Sequence, residues 1–97
     1  MKRDYTVIDN REKQRFEIHV ESHIAFEDYA LLDGGIAYLH TEVPPGLGGR
    51  GIASFLIQYL LDDAAAKGLK VKPVCPVVRA YIEKHPEYQT NTVPWQD

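Results

Sequence analysis

Phe16, Ile18 and Val20 alternate with Glu17, His19 and Glu21, a period of two that predicts a strand with one buried face. A shorter strand over Tyr5 to Ile8 precedes it, with Asp9-Asn10 and the polar Arg11 to Gln14 as the connection. Ile24 to Leu32 reads as a third strand, less regular but rich in Ile, Phe, Tyr and Leu. Asp33-Gly34-Gly35 supplies the turn into a fourth strand, Ile36 to Val43. Short connections make these four an antiparallel meander. Pro44-Pro45 offers no backbone donors and ends the pairing, and four glycines follow within Gly46 to Gly51. Between Ile52 and Lys67 the apolar residues Ile52, Phe55, Leu56, Tyr59, Leu60 and Ala64 recur at helical spacing. Ile57 and Leu61 widen that stripe, and Gly68 stands where a left-handed C-terminal cap is expected. Leu69 to Val74 is a fifth strand. A strand, a helix and a strand in succession imply a crossover that sets the fifth strand parallel to an earlier one, most simply the fourth. Pro76 opens a second helix that stops near His85-Pro86, and the polar Glu87 to Asp97 reads as an irregular tail. The fold class expected is α/β (α+β).

Composition narrows the function. Ninety-seven residues make one domain, 1–97, with a core of about 5–88 and a tail over 89–97. Eleven Lys and Arg against fourteen Asp and Glu give a charge of −3, which provides no field to gather DNA or RNA. No run approaches the ~20 apolar residues of a membrane span. The first residues, MKRDYTVIDN, do not resemble a signal peptide, and one cysteine forms neither an internal disulfide nor a multi-cysteine zinc site. His19 and His23 have no cysteine at metal-ligand spacing, so no metal is expected. The expectation is a cytoplasmic protein with a reduced thiol. Trp95 reads as a packing anchor.

Gly46-Leu47-Gly48-Gly49-Arg50-Gly51 spells the dinucleotide fingerprint G-x-G-x-x-G, and it lies between a strand and a helix. The context argues against that reading. The loop follows an antiparallel meander, two prolines intervene, and the next strand ends in Pro73-Val74-Cys75 without an acid for a ribose hydroxyl. The phosphate loop of nucleotide hydrolases is excluded too, since Ile52 and Ala53 occupy the places of its Lys and Ser or Thr. Two readings stay open. The glycines form a flexible connection, or the free amides at the helix start, with Arg50 and Ser54 beside them, hold an anion such as a phosphate.

The order of elements resembles the GNAT superfamily of acetyl-CoA-dependent N-acetyltransferases. The superfamily's pattern is Gln or Arg, two variable residues, Gly, one variable residue, then Gly or Ala. Here Gly48-Gly49-Arg50-Gly51-Ile52-Ala53 matches it at Gly51 and Ala53, with Gly48 in place of the leading Gln or Arg. His-Thr-Glu-Val-Pro-Pro at 40–45, Cys-Pro at 75–76 and His85-Pro86-Glu87-Tyr88 look like a short, cysteine-bearing branch. The resemblance implies that coenzyme A sets its pyrophosphate on about Gly49 to Ser54. It also implies a pantetheine arm running between splayed fourth and fifth strands, near the backbone of Val43. The cofactor-binding set is then Val43, Gly48, Gly49, Arg50, Gly51, Ile52, Ala53 and Ser54. The implied activity is transfer of acetyl from acetyl-CoA to a primary amine, whether a small amine or a protein lysine or N-terminus. The alternative is a coenzyme A or acyl-CoA binding module without turnover. In larger members, helices between the first two strands help build the acceptor site, and here only Asp9 to Gln14 occupies that place.

Such chemistry needs a base for the ammonium and a proton donor for the departing thiolate. Alternation places Tyr38, His40 and Glu42 on one face of the fourth strand, and either His40 or Glu42 is a candidate base or half of a surface pair. Cys75 precedes Pro76 and adjoins the N-cap of the second helix, where a thiolate is favoured. It is a candidate nucleophile, a donor to the leaving sulfur, or a buried structural residue. The superfamily's tyrosine acid corresponds best to Tyr81, although alignment on Glu83-Lys84 puts it one residue early, about 100° around the helix.

Overall fold

The computed structural model describes residues 5–47 and 51–93, so Gly48, Gly49, Arg50 and Trp95 lie outside the described residues. Five strands form one sheet in the order β1-β2-β3-β4-β5, with β1 Val7–Asn10, β2 Arg15–Val20, β3 His23–Leu32, β4 Gly35–Glu42 and β5 Lys70–Pro73. The first four pair antiparallel, and β5 joins β4 in parallel through Gly35↔Lys70 to Tyr38↔Pro73. Helix α1, Ile52–Ala66, makes the crossover, and α2, Pro76–Lys84, follows β5. This is the mixed α+β architecture expected, with boundaries moved by one or two residues.

Two departures have clear causes. β1 runs through Asp9 and Asn10, expected in the connection, because both polar side chains are satisfied by strand neighbours. Asn10 Nδ2 donates to Glu17 Oε2 at 3.0 Å, and Tyr29 Oη donates to Asp9 Oδ1 at 2.6 Å. The described part of the tail, through Val93, has regular structure. Pro86–Asn91 forms a 3-10 helix, Thr92 bridges Val71, and the Val93 amide donates to the Val71 carbonyl at 2.9 Å.

The apolar stripe of α1 drives the packing. Ile52, Leu56, Ile57, Leu60, Leu61 and Ala64 are buried against Phe16, Ile18, Ala25, Tyr29, Ile36 and Tyr38 of the sheet. Each of the fully buried Leu56 and Leu60 contributes ~1.5–3 kcal/mol. Tyr59, at the margin of the stripe, is 41% exposed. Tyr38 Oη donates to the Leu60 carbonyl at 2.7 Å and ties β4 to α1, and burial raises its pKa. Val78 and Ile82 bring α2 into the same cluster. Gly68 takes φ +70 at the end of α1, the left-handed conformation its position demanded.

The β4–β5 pair is tight at its start. A Cβ built on Gly35 would stand 2.8 Å from the Lys70 carbonyl oxygen, so any side chain there must push the two backbones apart. Gly35→Ala is expected to lose about 1–3 kcal/mol, read from urea unfolding midpoints, with the loss concentrated in amide protection of β5.

Candidate active site

β4 carries a bulge that decides which side chains reach the site. Asp28 pairs with His40 and Tyr29 with Tyr38, so Leu39 has no opposite number on β3. One extra residue reverses the facing of everything beyond it. Tyr38 turns towards α1, and past the bulge it is Thr41, instead of His40 or Glu42, that shares this face. The expected alignment of Tyr38, His40 and Glu42 on one face is therefore corrected. Tyr38 is buried, whereas His40 and Glu42 are exposed on the opposite face, where the rings of Phe26 and His40 stand 6.5 Å apart.

On the helix-covered face the bulge assembles a group that alternation did not predict. Glu27, on β3 between buried Ala25 and Tyr29, is fully buried. The Thr41 hydroxyl donates to Glu27 Oε1, and Thr41 Oγ1 lies 3.2 Å from Cys75 Sγ. Glu27 Oε2 is buried without a hydrogen-bond partner. Desolvation raises the Glu27 carboxyl to about 7, against the lowering effects of the Thr41 hydroxyl, the His40 backbone and the His40 charge. Cys75 is the N-cap of α2, buried, and its amide donates to the Tyr38 carbonyl at 2.8 Å. That backbone bond holds the chain leaving β5 against β4. From Leu39 to Glu42, β4 continues without a β5 partner.

On the other face His40 Nε2 meets Glu42 Oε1 at 3.0 Å, and this hydrogen bond raises the His40 pKa. The same face carries Glu17, whose burial alone would raise its pKa. Hydrogen bonds from His19, Arg15 and Asn10 outweigh burial and hold it at about 2. Tyr81 does not join the Cys75 group. It stacks on His85 with ring centroids 4.1 Å apart and lines a groove of about 250 Å³ with Ala53, Ser54, Ile57 and Lys84. Its pKa is raised, chiefly by burial.

The loop end expected to hold a pyrophosphate is described from Gly51 onward. Gly51 is the N-cap of α1 with φ +69, a conformation that suits glycine, and no side chain caps the helix. Phe55 N–H closes the first turn on the Gly51 carbonyl at 3.0 Å. Ile52, Ala53 and Ser54 thus occupy the first turn, the positive end of the helix dipole. Val43 is partly buried against the core just beyond β4.

Comparison with known proteins agrees with this architecture. The family model for GCN5-related N-acetyltransferases matches residues 15–91. The NATD1 proteins of chicken and mouse are each 38% identical over 47 residues, 48% of this chain and 43% of theirs, and human NATD1 matches at the same identity over 42% of its length. The matched stretch thus spans less than half the length of these curated relatives. An NMR structure of a GCN5-like candidate N-acetyltransferase from Staphylococcus aureus superposes with a TM-score of 0.72 at 23% identity, over 95% of this chain and 91% of that one. A family match running from β2 to the last 3-10 turn, on a sheet whose fifth strand lies parallel to the fourth, leads to one conclusion: the chain belongs to the GCN5-related N-acetyltransferase family.

Proposed function

We propose that this protein transfers acetyl from acetyl-CoA to a primary amine. The observation that carries the reading is that β4 outruns β5 just where Cys75 and Thr41 meet. The pairing stops at Tyr38↔Pro73, and the four residues beyond it leave β4 backbone available to an extended arm. The described residues fit coenzyme A. An uncapped α1 with left-handed Gly51 offers first-turn amides to a pyrophosphate, and the groove between Ser54 and Lys84 continues away from them. Gly48, Gly49 and Arg50 complete this cradle in the proposal, and Val43 adds backbone groups to the arm.

His40, supported by Glu42, takes a proton from the incoming ammonium on the open face of the sheet. Cys75 works from the helix-covered face. An acceptor approaching an uncrowded strand face can be large, and a protein lysine or N-terminus suits it as well as a small amine. A thiol in this role needs a reducing compartment such as the cytoplasm.

Titration calorimetry with coenzyme A and acetyl-CoA, paired with an assay for free coenzyme A in the presence of amines, tests the proposal. Binding should be weakened about 10-fold or more by Ser54→Glu, which sets a negative charge at the helix start. Absence of heat with either ligand overturns the whole reading. Binding without release of free coenzyme A overturns the enzymatic part and leaves a binding module.

A further inference from the structure

Thr41 has one hydroxyl proton, and it is committed to Glu27 Oε1. Its oxygen, 3.2 Å from Cys75 Sγ, is left as an acceptor, so the thiol is the donor in that contact. The result is a directed chain in which S–H points to O–H and O–H points to a carboxyl. The carboxyl at its end is fully buried and keeps a second oxygen, Oε2, with no hydrogen-bond partner among the described residues. A buried acid held with one oxygen unsatisfied costs stability and serves no packing purpose that an apolar residue would not serve better.

We propose that Glu27, acting through Thr41, is the proton acceptor for Cys75 when its sulfur attacks the acetyl thioester. This deepens the acetyl-transfer reading and rests on it. Cys75 Sγ forms a bond to the acetyl carbon while its proton passes to Thr41 Oγ1 and the Thr41 proton passes to Glu27. The bond from acetyl carbon to the coenzyme A sulfur breaks, and the departing thiolate takes a proton from solvent. The amine, whose extra proton His40 takes on the open face during approach and hands to solvent, then attacks the acetyl carbon. Cys75 leaves as thiolate and recovers its proton from Glu27 by the same path, and the new amide sheds its extra proton to solvent. The site returns to its starting state with one net proton released.

The groups that face Glu27 set when it can accept. β4 contributes Thr41 and Tyr38 on the same face and His40 through the backbone and by charge. β3 contributes Asp28 and Tyr29, and β2 presents the apolar Phe16 opposite. The buried residues of α1 are apolar, and Cys75 heads α2. With its carboxyl raised to about 7, Glu27 is ionised and able to accept only above neutral pH.

The test is acetylation of Cys75 by acetyl-CoA alone, located by peptide mass spectrometry across a pH series, beside alkylation by iodoacetamide without any coenzyme A. In the wild type both rates should rise with a midpoint near 7. Glu27→Gln and Thr41→Val should each slow acetylation about 10²-fold or more and remove the midpoint near 7, leaving only the rise at higher pH that any thiol shows, and Thr41→Ser should restore both. Glu27 is a positioning and proton-holding residue in this scheme, and a purely structural role would leave the midpoint in place. A midpoint still near 7 in Glu27→Gln, or in Thr41→Val if the former does not fold, overturns the proposal. Alkylation that follows the expected pattern while no protein is acetylated overturns the acetyl-transfer reading and leaves the proton path standing.

Discussion

Cys75→Ala lowers the rate of acetyl transfer about 10³-fold or more while leaving coenzyme A affinity within a few fold of the wild type. The separation follows from where the groups lie. Cys75 meets Thr41 at the end of the paired region, whereas the uncapped amides belong to the start of α1. The substitution removes one buried sulfur and keeps the Cys75 amide bond to the Tyr38 carbonyl, so the fold changes little. Steady-state kinetics with a saturating amine, calorimetry with coenzyme A and a thermal melt together check the claim. A variant with wild-type turnover would show that the amine attacks the thioester directly and would return Cys75 to a packing role.

Unfolding free energy should fall by about 3 kcal/mol as pH rises from near 4.5 to beyond 7, and Glu27→Gln should remove most of that slope. The sign comes from burial. The native protein holds the Glu27 carboxyl protonated up to about 7, while the unfolded chain releases that proton near the model value of 4.5. Between those values the native state binds more protons, so its stability is complete below the lower one and declines towards the upper. Exposed His40 adds a contribution of the same sign through its bond to Glu42, and Glu27→Gln leaves that part intact. Glu17 acts oppositely in another window, since its stabilisation is present above 4.5 and lost as pH falls towards 2. Urea titrations at a series of pH values separate the three, and a Glu27→Gln variant with the wild-type slope would refute the assignment.

Much of the architecture was legible because local patterns and tertiary demands coincide. The stripe from Ile52 to Ala64 faces the sheet as its spacing requires, Gly68 adopts the cap conformation, and β5 lies parallel to β4. The candidate site was only half legible. Cys75 beside Pro76 announced itself through a helix start, but its partners did not. Glu27 falls in an irregular strand where a carboxylate reads as solvent-facing, and strict alternation, which groups Tyr38 with His40 and Glu42, gives no reason to look at Thr41. Nothing local marks Leu39 as the extra residue of a bulge, which exists only in the register against β3. His40 and Glu42 were paired correctly, and it is Tyr38 that the bulge separates from them.

The final described segment also bears on solubility. β5 has β4 on one side, and without cover its outer border would be a row of free donors and acceptors inviting a second chain to dock. Thr92 and Val93 occupy part of that border, and Tyr88 fastens the segment to Asp62 of α1 at 2.9 Å. What reads in the sequence as a loose end is a selvedge that discourages sheet-to-sheet aggregation in a domain with little apolar surface to spare.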